Sequence, residues 1–393
     1  MAVCFHPLGR RDRGLNGLRL CCHAGHPYSD RDCGYVVTWL AVNRIRSVSA
    51  RPYRLWRKLT ERIVLSISVL LTVTVAGNSL FNTIAMHRFW ALNPGPGDIY
   101  TVNGHKMHIF CTGSGSPAII LEAGLGSDSL IWGGVQPALS KTTRVCSYDR
   151  AGFGWSDRAP DLRDADHISG DLHQLLLQAG ITGDIVLLGH SIAGIYMRDY
   201  AARYPANVVG IVFVDSATPF QDKNPALQGG GAGPPPWLFR LAMSAGVPRL
   251  SGMCSWGAPG VDSHTRKLQG EANCRVHFSA ISAEMNNIDR SSQEAVQSGS
   301  YGALPVLIIS HDPAKQRSRH PTEQDVNAQN AWSQMQEDLK KLSTRGRRII
   351  AKGSTHNIMF DRPDLIDKEV PRFIDQLRGT VPQPTDYGST ITE

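Results

Sequence analysis

Ser191 stands in the stretch Gly189-His190-Ser191-Ile192-Ala193-Gly194, where a run of strand type gives way to a run of helical composition. The preceding residues, Asp184-Ile185-Val186-Leu187-Leu188, are short and apolar; residues 195–204 read as a helix stopped by Pro205. A serine on such a direct strand-to-helix turn takes a strained backbone conformation that only small neighbours two positions away accommodate. Gly189 is the first of these. The second is Ala193 rather than the usual glycine, with Gly194 one step later. A serine so placed can act as a nucleophile, because the N-terminal N–H groups of the following helix favour a developing oxyanion. A buried strand ending in an ordinary serine helix cap would share the local pattern, so the rest of the chain has to choose between the two.

The elements that would position such a serine lie in the C-terminal three quarters of the chain. Residues 1–62 hold 12 of the 41 basic side chains and 4 of the 34 acidic ones. The rest of the chain is close to neutral, with 29 against 30, so the overall charge of +7 belongs to the N-terminal segment and gives no reason to expect nucleic acid as a partner. Residues 1–50 carry four of the eight cysteines (Cys4, Cys21, Cys22, Cys33) and no apolar period, and read as a disordered basic tail or as an overlong start. Residues 63–86 contain no charge and span about 36 Å as a helix, against about 30 Å for a bilayer core. Arg51, Arg54, Arg57, Lys58 and Arg62 precede that run, and only His87 and Arg88 follow closely. The bias keeps the N-terminus cytoplasmic and exports the rest, making residues 51–92 a basic flank and single-pass anchor. A cleaved signal peptide ending near Val75-Ala76-Gly77, with a secreted product, is the alternative, since Asn78, Ser79 and Asn82 weaken the second half.

Asn93-Pro94-Gly95-Pro96-Gly97 is a linker. After it, residues 99–102 and 106–110 flank Asn103-Gly104 as a hairpin, and buried strands are expected at 118–122, 144–149, 184–188, 208–215 and 304–310. Helical spacing of Leu172, Leu175, Leu176 and Ala179 falls between two of them. The alternation predicts an α/β domain: a mostly parallel sheet with helices on both faces.

With these landmarks in order, residues 98–378 resemble the α/β-hydrolase fold in its serine-hydrolase branch. The resemblance rests on Glu122-Ala123-Gly124-Leu125-Gly126, on Tyr148-Asp149-Arg150-Ala151-Gly152-Phe153-Gly154, on the turn at Ser191 and on the late pair Thr355-His356. It implies His356 as general base, on a loop of small residues from which an imidazole reaches the serine across the sheet. It implies an acid after the strand at 304–310, where Asp312 arrives one residue early; Asp215, after the strand before it, is the alternative. It implies an oxyanion hole made by the N–H of Ile192 with that of Gly124 or Leu125, although Glu122-Ala123-Gly124 departs from the expected His-Gly pair.

Between 218 and 303 the sheet pattern stops, the place of a helical lid. There Gly229-Gly230-Gly231 opens a flexible stretch, and residues 237–243 form an apolar helix that either lines an acyl-chain pocket or packs on the core. Cys254 and Cys274 fall in this lid, paired or free, whereas Cys111 and Cys146, on neighbouring strands, read as two buried thiols. His167, Asp171 and His173 read as a solvated helix face. Trp332, Met335, Leu339 and Leu342 form a core stripe, and Pro371 is expected to kink the last helix. Residues 98–380 are thus the catalytic domain, followed by a disordered tail at 381–393. The expected protein is a serine hydrolase of carboxylic esters, acting on a small-molecule or lipid-like ester with no cofactor and no metal. Aminopeptidase, lactonase, perhydrolase or acyltransferase chemistry shares the same triad, and a non-catalytic binding scaffold is the reading from another class. An aspartate in place of Ser191 would have indicated dehalogenase or epoxide-hydrolase chemistry.

Overall fold

The computed structural model describes residues 54–228, 235–258, 261–275, 277–315 and 320–393. The N-terminal tail with Cys4, Cys21, Cys22 and Cys33, and the glycine-rich opening of the lid, lie outside the described residues. The first helix, α1 (Arg54–Leu92), is 39 residues long and continuous through Val75-Ala76-Gly77. Its apolar window has no residue buried, and it is long and apolar enough to cross a membrane. By its contacts the chain divides within this helix, between Val75 and Ala76.

Nine strands form one sheet: β1 (Asp98–Val102), β2 (His105–Thr112), β3 (Ala118–Glu122), β4 (Val145–Tyr148), β5 (Ile185–His190), β6 (Val208–Val214), β7 (Val306–His311), β8 (Gly346–Ala351) and β9 (Thr390–Thr392). Their order is β1-β2-β4-β3-β5-β6-β7-β8-β9. The hairpin β1–β2 turns on Asn103 and Gly104, both at positive φ as an Asn-Gly turn requires. β2 pairs antiparallel with β4, and every later pairing is parallel.

Alternate residues of the central strands feed two apolar layers. Ile120, Leu187, Phe213 and Ile308 face α2 (Ala165–Gln178), α3 (Ala193–Arg203) and the end of α9 (Glu323–Leu339). Ile119, Leu121, Val186, Val212 and Ile309 face α10 (Pro363–Arg378), which presents Leu365, Ile366, Val370 and Ile374. A period of two in the strands meeting a period near 3.6 in the helices gives one core on each side of the sheet. Pro371 lies inside α10.

Between β6 and β7 lie α4 (Pro236–Ser244), α5 (Val247–Leu250), α6 (Ser263–Ala272), α7 (Phe278–Asn286) and α8 (Ile288–Val296). This insertion is the expected helical stretch, with one difference. α4 buries Met243 but leaves Trp237, Leu238, Phe239 and Leu241 exposed.

Three further expectations change, and one open alternative closes. Cys111 and Cys146 are joined as a disulfide, because the antiparallel register of β2 and β4 sets them directly opposite each other. Cys254 and Cys274 form a second bridge, tying the turn after α5 to the segment after α6. Residues 390–392, within the tail expected to be disordered, add β9 in parallel to β8; a Thr-Ile-Thr strand is too short to show a period. Asp171 is buried rather than solvated, accepting from Arg163 Nη1 at 2.7 Å and Asn103 Nδ2 at 2.9 Å.

Candidate active site

β3 and β5 are adjacent parallel strands, with Glu122 opposite Gly189, although β4 comes between them in the chain. The chain therefore leaves β3 toward one edge of the sheet and β5 toward the other, which opens a crevice beyond their carboxyl ends. Ser191 follows β5 there, and the Ala123-Gly124-Leu125 turn follows β3. The two touch: a Cβ on Gly124 would lie 3.2 Å from Ser191 Cβ and 2.8 Å from His190 Nδ1.

Ser191 has φ +56°, the left-handed conformation expected of a sharp strand-to-helix turn and costing about 1–3 kcal/mol. Its carbonyl accepts from Gly194 N at 3.0 Å and Ala217 N at 2.7 Å, so the turn is held from both sides. The spacing of small residues is explained by contact. A Cβ on Gly189 would lie 2.8 Å from the Ala193 Cβ, and one on Gly194 would lie 2.6 Å from the Ala217 carbonyl. The alanine at 193 is tolerated because Gly189 faces it, while the second tight approach has moved to Gly194. Ile192 is the first residue past the turn and caps α3 with its backbone.

His356 lies on the loop after β8. Its Nδ1 is 2.6 Å from Asp215 Oδ2, and its carbonyl accepts from His190 Nε2 at 3.0 Å. The His190 and His356 rings are 4.5 Å apart. His190, adjacent to Ser191 in sequence, thus secures the loop that carries the second imidazole. Burial, helped by the neighbouring His356, drops the His190 pKa to about 3, so it is a neutral hydrogen-bond donor.

Of the two candidate acids, only Asp215 reaches His356. The structure places Asp312, the first expectation, elsewhere. Its carboxylate accepts from Ala314 N at 2.9 Å and Gly353 N at 2.8 Å, at the exposed edge of the β7 and β8 loops. Asp215 follows the neighbouring strand β6 with φ +45° and is fully buried. Besides His356 it accepts from His311 N at 3.0 Å and Trp332 Nε1 at 3.0 Å, and its Oδ2 lies 2.8 Å from His311 Nδ1. Burial alone would raise the Asp215 pKa. The hydrogen bonds of His311 and His356 overcome it and hold the carboxyl well below the usual carboxylate range.

Sequence reading missed His311 and Trp332. His311 falls just past the strand expected at 304–310 and Trp332 in a core stripe, so neither stands out in the sequence. His311 Nε2 lies 2.6 Å from Gln329 Oε1, so both ring nitrogens face oxygen acceptors. Burial lowers the His311 pKa, but the hydrogen bond and charge of Asp215 outweigh it, and the net shift is upward.

Arg150 organises the other side of the crevice. It is buried, and Nη1 donates to the Ala123 carbonyl at 2.5 Å while Nη2 donates to the Gly124 carbonyl at 3.1 Å. A trans peptide sets N–H opposite C=O, so the N–H groups of Gly124 and Leu125 point away from the arginine. The guanidinium is held in turn by both carboxylate oxygens of Glu284 on α7, at 2.8 and 3.1 Å. Burial pushes Glu122 up to about 7, with Arg150 4.0 Å away. Among the described residues no group of three or more His, Cys, Asp or Glu side chains could hold a metal.

Comparison with known proteins agrees with this architecture. Residues 117–252 match the family described as alpha/beta hydrolase fold. A probable transporter, efuK, of Hormonema carpetanum is 34% identical over 145 residues, 35% of this chain and 21% of that protein. An uncharacterized protein of Schizosaccharomyces pombe is 28% identical over 377 residues, 87% of this chain and 65% of its own length. The chain thus spans less than two thirds of either curated relative. A putative lipase of Acinetobacter baumannii superposes with a TM-score of 0.52 at 15% identity, covering 76% of this chain and 97% of the lipase. The fold of this chain is that of the α/β-hydrolase superfamily.

Proposed function

We propose that this protein is a serine hydrolase that cleaves carboxylic esters through an acyl-enzyme, with Ser191 as nucleophile, His356 as base and Asp215 as acid. The observation that carries the reading is the 2.6 Å contact between His356 Nδ1 and a buried Asp215, on the loop that His190 ties to the Ser191 turn. With Asp215 ionised and accepting from Nδ1, the Nε2 lone pair of His356 is free to take the Ser191 proton. Ser191 Oγ then bonds to the acyl carbon, and the carbonyl π electrons move to its oxygen. The oxyanion is received by the N–H of Ile192 and by that of Gly124 or Leu125, the peptides whose carbonyls Arg150 engages. Collapse breaks the ester C–O bond, and His356 returns its proton to the departing alcohol. In the second half water gives a proton to His356, attacks the acyl-enzyme and releases the acid.

The same reading places the enzyme on a membrane. α1 is its single-pass anchor with the basic flank on the cytoplasmic side, and the hydrolase domain is extracytoplasmic. Two disulfides in that domain support an oxidising compartment. The test is turnover of a p-nitrophenyl ester series. The wild-type protein hydrolyses it, and Ser191→Ala, with an unchanged melting temperature, loses it. Retained turnover in that variant refutes the assignment.

A further inference from the structure

We infer that the outer surface of α4 and α5 is embedded in the bilayer beside the anchor helix, so that the enzyme draws on esters whose acyl chains lie in the membrane. The inference rests on α1 being a membrane anchor, and extends that reading to the lid.

Asn78 and Asn82 interrupt the apolar run of α1 and would be costly if they faced lipid. Both point at the lid. Asn78 Nδ2 donates to the Ala245 carbonyl at 2.8 Å, and Asn82 Oδ1 accepts from Arg249 Nε at 3.1 Å. Gly246 makes the approach possible, since a Cβ there would lie 3.1 Å from Asn82 Cβ. If residues 63–86 span the bilayer, Asn82 and Asn78 lie about 6 and 12 Å inside its outer end. The connection between α4 and α5 therefore sits at the depth where apolar faces of interfacial helices rest, about 5–10 Å into the headgroup and acyl boundary.

The side chains at that level suit lipid. Trp237, Leu241, Val247, Leu250, Met253 and Trp256 are all exposed, with Leu250 at 72%. A surface of this kind in water would be an aggregation hazard. From residue 235 to 258 the sequence has two charged side chains, Arg240 and Arg249, and no acid. Neither arginine is left bare. Arg249 forms a two-pronged pair with Glu271 at 3.0 and 2.6 Å, and Arg240 turns back to Ser282 Oγ and the Phe278 ring. The exposed residues of α1 at the same level, Leu80, Phe81 and Ile84, are apolar as well. A bilayer covers all of these without a partner protein. The embedded helix is also wired to the chemistry: the Phe239 ring meets Phe278 of α7 at 5.5 Å, and Glu284 of α7 holds Arg150.

The full wild-type chain is reconstituted in phosphatidylcholine vesicles containing a phospholipid with a photoreactive diazirine on its acyl chain. After illumination and proteolysis, labelled peptides are mapped by mass spectrometry. The inference predicts label in residues 63–84 and also in 236–256, with none in residues 165–178 of α2. Label in 63–84 but not 236–256 overturns it while leaving the anchor intact, and assigns the apolar face to a protein partner. Label in neither overturns the anchor and the inference together. As a second measure, Leu241→Glu with Leu250→Glu should lose turnover of a long-chain ester held in vesicles and keep turnover of p-nitrophenyl acetate. Equal loss on both substrates contradicts it.

Discussion

Asp215 carries more than one histidine, and the two have opposite duties. As the proposed base, His356 needs a lone pair at Nε2, whereas His311 presents both nitrogens to acceptors, Asp215 and Gln329. That geometry suits an imidazolium at His311, in line with its raised pKa. The sign of the pH dependence follows. A folded pKa above the unfolded value of about 6.5 gives stability that is complete below that value and lost as pH rises through the folded pKa. The melting temperature of the wild type should therefore exceed that of His311→Gln most at pH 5.5 to 6.5 and converge on it at alkaline pH. A gap that widens with rising pH would show His311 to be neutral. The two carboxylates give a sharper contrast. Asp215→Asn should lower kcat by about 10⁴-fold, the loss seen when a triad carboxylate becomes an amide elsewhere. Asp312→Asn should leave kcat within severalfold and cost about 0.5–2 kcal/mol, since Asp312 only accepts backbone hydrogen bonds. The reverse ranking of kcat would restore Asp312 as the acid.

At the scale of elements, the Ala123-Gly124 turn, proposed to receive the oxyanion, is tied to a lid helix through Arg150. Arg150→Met strands Glu284, a fully buried carboxylate, and should destabilise the protein by about 3–5 kcal/mol. Adding Glu284→Met removes the unpaired charge and should recover most of the melting temperature. It should not recover kcat, because the Ala123 and Gly124 carbonyls still lack the arginine, Gly124 keeping only Ser127 N at 3.2 Å. Full recovery of both quantities would make the pair a stability device only. Much of this architecture was legible in the sequence. Asn103-Gly104 set the hairpin, the apolar runs set five of the nine strands described, and the flanking small residues exposed the turn at Ser191. What stayed hidden depends on neighbours distant in the chain. Asp215 and Asp312 each follow a strand of the same sheet edge, so order could not choose between them; the backbone at Asp215 turns its carboxylate inward, and that of Asp312 faces Gly353. Trp332 has the spacing of a core stripe and spends its indole N–H on Asp215. Cys111 and Cys146 looked like buried thiols until the antiparallel register set them face to face.

For the whole molecule, the proposed topology rests on the division of charge and hydrophobicity along the chain. The basic residues cluster before the apolar part of α1, and the disulfides lie after it. Protease added outside intact spheroplasts should digest the domain after residue 97 and leave a membrane-bound N-terminal fragment; protection of the domain until lysis would reverse the orientation. The central claim, that Ser191 is the nucleophile of a working hydrolase, is tested most directly by its covalent adduct. The intact protein is treated with a fluorophosphonate, digested and mapped by mass spectrometry. The account predicts a single phosphonylated peptide modified at Ser191, formed far more slowly in His356→Ala. An unmodified protein, or an adduct on a different residue, would contradict it.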